Sequence, residues 1–253
     1  MMPAMDIPPE FYAFVAIGLA AQLVDGALGM AYGLTASSLL QTFGVPPALA
    51  SASVHAAEMA TTFVSGASHG MFGNVDWDLV RRLAFPGMLG GGLGAWLVGS
   101  VDWPWLRAAV AAWLVVMGAL LLLRAIRWQQ RKQARSDKVT LLGFFAGALD
   151  AIGGGGWGSL TTTRLMARNL EPRIAIGTAN ASEFFVACAV SAVFVSTIGL
   201  GYLPMVAGLL VGGVVGAPFA AWFAKRLPAR GLLGAVGVLV MGLSGYNLVR
   251  ALA

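Results

Sequence analysis

Charge is scarce in this chain. Only 11% of its 253 residues are Asp, Glu, Lys or Arg, and 58% are hydrophobic, whereas a soluble domain is about one quarter charged. That shortage excludes an ordinary water-facing surface. With a single cysteine, Cys188, no intrachain disulfide can form. No phosphate-binding loop of the Gly-x-x-x-x-Gly-Lys-Ser/Thr kind is present, which argues against an ATP motor. Basic residues form no stripe with interleaved aromatics, so the net charge of +5 is not a nucleic-acid footprint. The first ten residues hold Asp6 and Glu10 but no Lys or Arg. A cleavable signal peptide needs a basic start, so the first apolar segment is expected to stay in the mature protein. No cofactor and no metal site is expected.

What the chain has instead is apolar runs longer than the roughly 18 residues that mark a membrane span. They cover roughly 11–40, 48–72, 79–100, 104–126, 140–168, 174–198, 203–225 and 229–251. The expected class is all-α, a polytopic membrane protein. Its 34 glycines suit close helix packing in lipid, above all Gly87 and Gly91 in one segment and Gly208, Gly212 and Gly216 in another. The longest polar run, Arg124 to Lys138, carries six basic residues and reads as a cytoplasmic linker.

The chain is duplicated about that linker. Asp25 to Gly33 matches Asp150 to Gly158 at an offset of 125 residues. The same offset pairs Pro47 with Pro172, His55 with Asn180, Glu58 with Glu183, and Gly91 with Gly216. The expected organisation is a first repeat over 1–123, a linker over 124–139 and a second repeat over 140–253. Internal repeats are the usual plan of secondary transporters.

Within both copies lies an acid followed by glycines, the densest being Asp150-Ala151-Ile152-Gly153-Gly154-Gly155-Gly156. Gly costs about 1 kcal/mol relative to Ala in a helix interior, so these segments are expected to stop and restart. If all eight segments crossed the membrane, basic residues would divide almost evenly between its two sides. If 11–40 and 140–168 instead fold back as re-entrant hairpins, fourteen of the sixteen basic residues fall on the linker side and only Arg107 and Arg250 lie opposite. The positive-inside bias therefore favours two inverted repeats, each a broken Gly-rich hairpin plus three transmembrane helices, with both termini outside.

A half-helix that restarts in the membrane offers unpaired N–H groups and a positive dipole end. Gly29, Gly33, Gly154, Gly155, Gly156 and Gly158 are therefore candidate anion-binding positions, with Ser37 and Thr162 as hydroxyl donors after the breaks and Asn180 nearby. His55, Glu58, Thr62, Ser65 and His69 recur at steps of three and four, on one helix face. Glu58 sits about 15 Å along its helix, near mid-membrane, where a carboxylate is costly unless paired, protonated or facing water. Glu58, His55, Glu183, Asp25 and Asp150 are the candidate proton-coupling residues, Asp25 and Asp150 also being placed to cap the restarting helices. His69 reads as a contact near the loop at the cytoplasmic end.

The two acid–glycine breaks, together with Ala50-Ser51-Ala52-Ser53-Val54-His55-Ala56-Ala57-Glu58 and Ile176-Gly177-Thr178-Ala179-Asn180-Ala181-Ser182-Glu183, make the sequence resemble the sulfite exporter TauE/SafE family over roughly 11–251. The resemblance implies a multi-pass permease of the prokaryotic cytoplasmic membrane that moves sulfite, sulfonates, thiosulfate or related organic anions. The first break holds fewer glycines than the second. The resulting expectation is a proton-coupled secondary transporter whose partners are a small sulfur anion, protons and membrane lipid, not nucleic acid; a homo-oligomer is compatible with it. The alternatives are a passive anion channel and an intramembrane aspartyl-type enzyme using Asp25 and Asp150.

Overall fold

A computed structural model describes residues 9–101, 103–127, 138–168, 170–226 and 228–253. Most of the linker reading, 128–137, and the acidic start at 1–8 lie outside the described residues. The described chain is all-helical: α1 (Pro9–Leu28), α2 (Tyr32–Thr42), α3 (Pro47–Met71), α4 (Trp77–Ser100), α5 (Leu106–Ile126), α6 (Val139–Gly153), α7 (Trp157–Ala167), α8 (Pro172–Ile198), α9 (Leu203–Arg226) and α10 (Ala229–Leu252). Both glycine breaks are real interruptions, at 29–31 and 154–156.

Six helices are long and apolar enough to cross a membrane: α1, α4, α5, α8, α10 and the Leu203–Ala220 part of α9. The expected set differed by one member, having α3 in place of α1. Ser51, Ser53, His55, Glu58 and Thr62 dilute the hydropathy of α3, yet all five are buried against other helices rather than facing lipid. Large apolar side chains such as Phe85, Val116, Val214 and Phe219 point outward instead, as a lipid-embedded bundle requires. This is a multi-pass membrane protein.

Small residues set how the helices meet. Gly208 packs on Phe11 and Phe14, Gly212 on Val15 and Gly216 on Leu19 and Gln22, so α9 and α1 run side by side in the same direction. In the other half Gly143 meets Leu83, Gly147 meets Gly87, and Gly94 meets Ala148, so α6 and α4 do the same. Each hairpin's first helix thus packs on the other half's fourth. Helices at equivalent positions run against each other: Gly66 meets Ala181 while Gly177 meets His69 (α3 with α8), and Gly118 meets Met241 while Gly234 meets Ala125 (α5 with α10).

The chain turns back at the breaks. Ala36 and Leu40 of α2 return to the apolar cluster that holds Ile17 and Ala21 of α1. Along α10, α2 is pinned by Ser38 Oγ to Ser244 Oγ at 3.0 Å and by Asn247 Nδ2 donating to Thr42 Oγ1 at 3.2 Å. On the other side α7 runs against α8: the Trp157 indole donates to the Ala179 carbonyl at 3.2 Å, and the far end of α7 closes through Leu170 N to Leu165 O.

Candidate functional site

The two breaks touch. A side chain at Gly155 would strike the backbone of Gly33 and Leu34, and one at Gly33 would strike Gly155. Only glycine lets two backbones come this close. The Ser37 hydroxyl clips the junction by donating to the Gly154 carbonyl, and Ser51 Oγ donates to the Ala151 carbonyl at 2.6 Å. At the hinge itself Gly154 and Gly156 take positive φ values of 70° and 142°, while the first copy reaches the left-handed region with Gly29 at 67° and Ala31 at 86°.

Each restarting helix is capped from within its own repeat. Asp25 Oδ1 accepts from Tyr32 N at 3.2 Å, and Asp150 Oδ1 accepts from Trp157 N at 2.8 Å. One residue further along, the Glu58 and Glu183 carboxylates are set against Gly33 and Gly158: Glu58 Oε1 lies 3.1 Å, and Glu183 Oε2 4.0 Å, from where a side chain on each glycine would begin. The half-helix starts are therefore not the bare amides expected from sequence. Four carboxylates of the protein already sit on them, in twofold-matched order. The expected structural role of Asp25 and Asp150 as caps is present, and the two glutamates share it.

Beside this junction lies a cavity of about 470 Å³. Asp25, Gly29, Gly33, Gly156, Gly158, Glu58, Asn180 and Glu183 all border it. Gly154, Gly155, Ser37, Thr162, His55 and Asp150, also singled out from sequence, do not. Gly154 and Gly155 are sealed in the backbone contact, and Ser37 is spent on Gly154. Thr162 is fully buried on α7, and its hydroxyl has no hydrogen-bond partner among the described residues. Asn180 reaches across α3 and α8, donating to Ser65 Oγ at 2.7 Å.

The cavity runs from the junction along Thr61, Thr62, Ser65 and His69 of α3 to Arg173 and Ile176 of α8. His69 therefore lines the chamber rather than serving only as a loop contact, because Gly177 lets α8 press against its side chain there. Gln22, Met30, Tyr32 and Arg173 also border the space, and sequence reasoning missed them as site residues. Arg173 had been counted only as a loop charge; its place one residue after the Pro172 that starts α8 was the available signal.

The halves differ where His55 replaces Asn180. His55 Nε2 lies 3.0 Å from Asp150 Oδ2, and both residues are 1% exposed. His55 Nδ1 is 2.8 Å from the Ser51 carbonyl, which can only accept, so Nδ1 carries a hydrogen. One further proton then bridges Nε2 and Oδ2, whichever atom owns it. Asp25 has no such partner and borders the cavity. Gly153 to Ser159 are buried throughout, whereas Gly26 to Met30 are partly open. The second break is thus the more enclosed, meeting the chamber through Gly156 and Gly158, while the first is open to it.

The family profile described as sulfite exporter TauE/SafE matches residues 14–247. The chain belongs to the sulfite exporter TauE/SafE family. Among curated relatives, "Probable membrane transporter protein YtnM" of Bacillus subtilis (strain 168) is 41% identical over 244 residues, covering 92% of this chain and 79% of that protein. No solved structure matches. As a TauE/SafE protein the chain is a membrane transporter, and the resemblance read from its breaks and its α3 and α8 motifs holds.

Proposed function

We propose that this TauE/SafE protein is a proton-coupled secondary transporter that carries sulfite, organosulfonates or related small sulfur anions across the cell membrane. The observation that carries the reading is the chamber of about 470 Å³ that ends where two half-helix starts meet. A helix start attracts anions through its dipole, each end acting as roughly half a positive charge, and through any amide that its capping carboxylate gives up. The volume lies within the range of small-molecule sites, about 300–1,000 Å³.

The charge balance supports proton coupling. Glu58 lies within electrostatic reach of Glu183, Asp150 and Asp25. With the His55–Asp150 pair neutral through its shared proton, about one positive charge from two helix ends does not balance the carboxylates of Asp25, Glu58 and Glu183 in a low-dielectric interior. An anion enters such a place together with protons.

In this reading the repeats are inverted and their hairpins re-entrant. The opposed courses of α3 with α8 and of α5 with α10 support it, as does the return of α2 along α1. The linker, Arg168, Arg173 and Arg230 then face the cytoplasm, and the chamber opens to that side. A passive channel is disfavoured because the chamber's lining ends at the junction, short of the Gly44 side. An aspartyl-type enzyme is disfavoured because Asp25 and Asp150 each serve a different helix start.

The test is counterflow in proteoliposomes loaded with sulfite, thiosulfate or sulfoacetate. Saturable exchange that quickens under an inward proton gradient is expected. Flux linear in concentration would instead point to a channel, and no flux with any of these solutes would end the sulfur-anion reading.

A further inference from the structure

Resting on that reading, we propose that the Glu58 carboxylate is a tethered stand-in for the transported anion, holding its place on the Gly33 amide, and that a sulfur oxyanion binds there only after Glu58 has taken a proton and moved off. Anion and proton would then be bound together because they answer to one position.

The geometry is specific to this side chain. Glu58 is 4% exposed yet borders the cavity. Its Oε1 sits at the start of α2, 3.1 Å from where a Gly33 side chain would begin, beside the Gly33 amide. Its other oxygen, Oε2, is buried and has no hydrogen-bond partner among the described residues. A buried carboxylate oxygen left unpaired is costly, so this half of the group is ready to take a proton from the cavity. A carboxylate and a sulfonate or thiosulfate present the same chemistry to an N–H group, a negative oxygen acceptor. They compete for it.

The groups facing Glu58 define the background of the titration. They are Asp25 on α1, Tyr32 on α2, His55 and His69 on α3, Asp150 on α6, and Glu183 with Arg173 on α8. Of the other helices packed on α3, α9 carries no ionisable residue over Leu203–Ala220, while the charges of α4 and α5 lie at the helix ends. Asp150 is held by His55 and Trp157, and Asp25 by Tyr32. Glu183 shares the arrangement at Gly158, but of the two glutamates only Glu58 leaves a buried oxygen without a partner among the described residues.

The experiment uses thiosulfate, which keeps its charge between pH 5.5 and 8, and the purified full chain in detergent. In the wild type, Kd is expected to rise about tenfold per pH unit once the linked proton is no longer held in the free protein, the signature of one linked proton. Titrations in two buffers of different ionisation enthalpy should show about one proton taken up per anion. Glu58→Gln copies the neutral side chain, so its Kd should be flat with pH and near the wild-type value at pH 5.5. Zero proton uptake in the wild type overturns the inference without needing the variant. So does a variant that keeps the wild-type pH slope, or one that binds more weakly at every pH. Absence of binding by any oxyanion in either protein would overturn the sulfur-anion reading itself, and this inference with it.

Discussion

Asp25 and Asp150 occupy equivalent positions in the repeat but carry different structural weight. Each caps one restarting helix. Asp150 in addition faces His55 in a spot that is almost wholly buried. Asp150→Ala removes a cap and strands a buried imidazole, a loss of about 3–5 kcal/mol for breaking a buried pair. Asp25→Ala removes a cap beside an open chamber, about 1 kcal/mol. Chemical unfolding of the two variants in the same detergent should rank them in that order, and equal losses would show that the His55 contact contributes nothing. The capping role was legible in the sequence, because an acid seven residues before the restarting residue recurs in both copies. The His55–Asp150 pair was not, since it joins residues 95 positions apart and no periodicity within one helix reports such a contact. The Glu58 and Glu183 caps were missed for the same reason, although both glutamates had been singled out as mid-membrane acids.

At the level of helices, the breaks and the polar face of α3 were readable because they contradict what a lipid-facing helix needs. Glycine runs and a carboxylate stand out against Leu, Val and Ala. How α3 sits was harder to read, because it is polar along one face and wrapped by its neighbours, so its composition alone does not mark it as a span. Helix pairing depends on the small residues of α4, α6 and α9. Gly90 faces the Phe144 carbonyl at a distance where a methyl group would overlap backbone. Gly90→Ala is therefore expected to force α4 and α6 apart and cost about 1–3 kcal/mol, the usual range for overpacking, despite the better helix propensity of Ala. A melting temperature equal to or above the wild type would mean that α4 and α6 slide without penalty. Gly242, beside which an added methyl group meets nothing, is the matched control and should tolerate Ala.

For the whole molecule, the duplication seen as an offset of 125 residues becomes an exchange of partners: α1 on α9, and α6 on α4. That exchange brings the two breaks together and builds one chamber from both halves, a result that neither half implies by itself. The chamber lies along α3 and α8 on the side of Arg173, and the His55–Asp150 pair braces the second break from its buried side. The most direct test of this arrangement is the reactivity of a cysteine at Met30, which borders the chamber and sits against Gly158, in a Cys188→Ser background. The expected result is that a membrane-impermeant thiol reagent reaches it from the side of Arg173 and not from the side of Gly44, and that sulfoacetate at ten times its Kd slows the reaction about tenfold by occupancy. A cysteine that reacts only from the Gly44 side, or one whose rate no transported anion alters, would contradict the account.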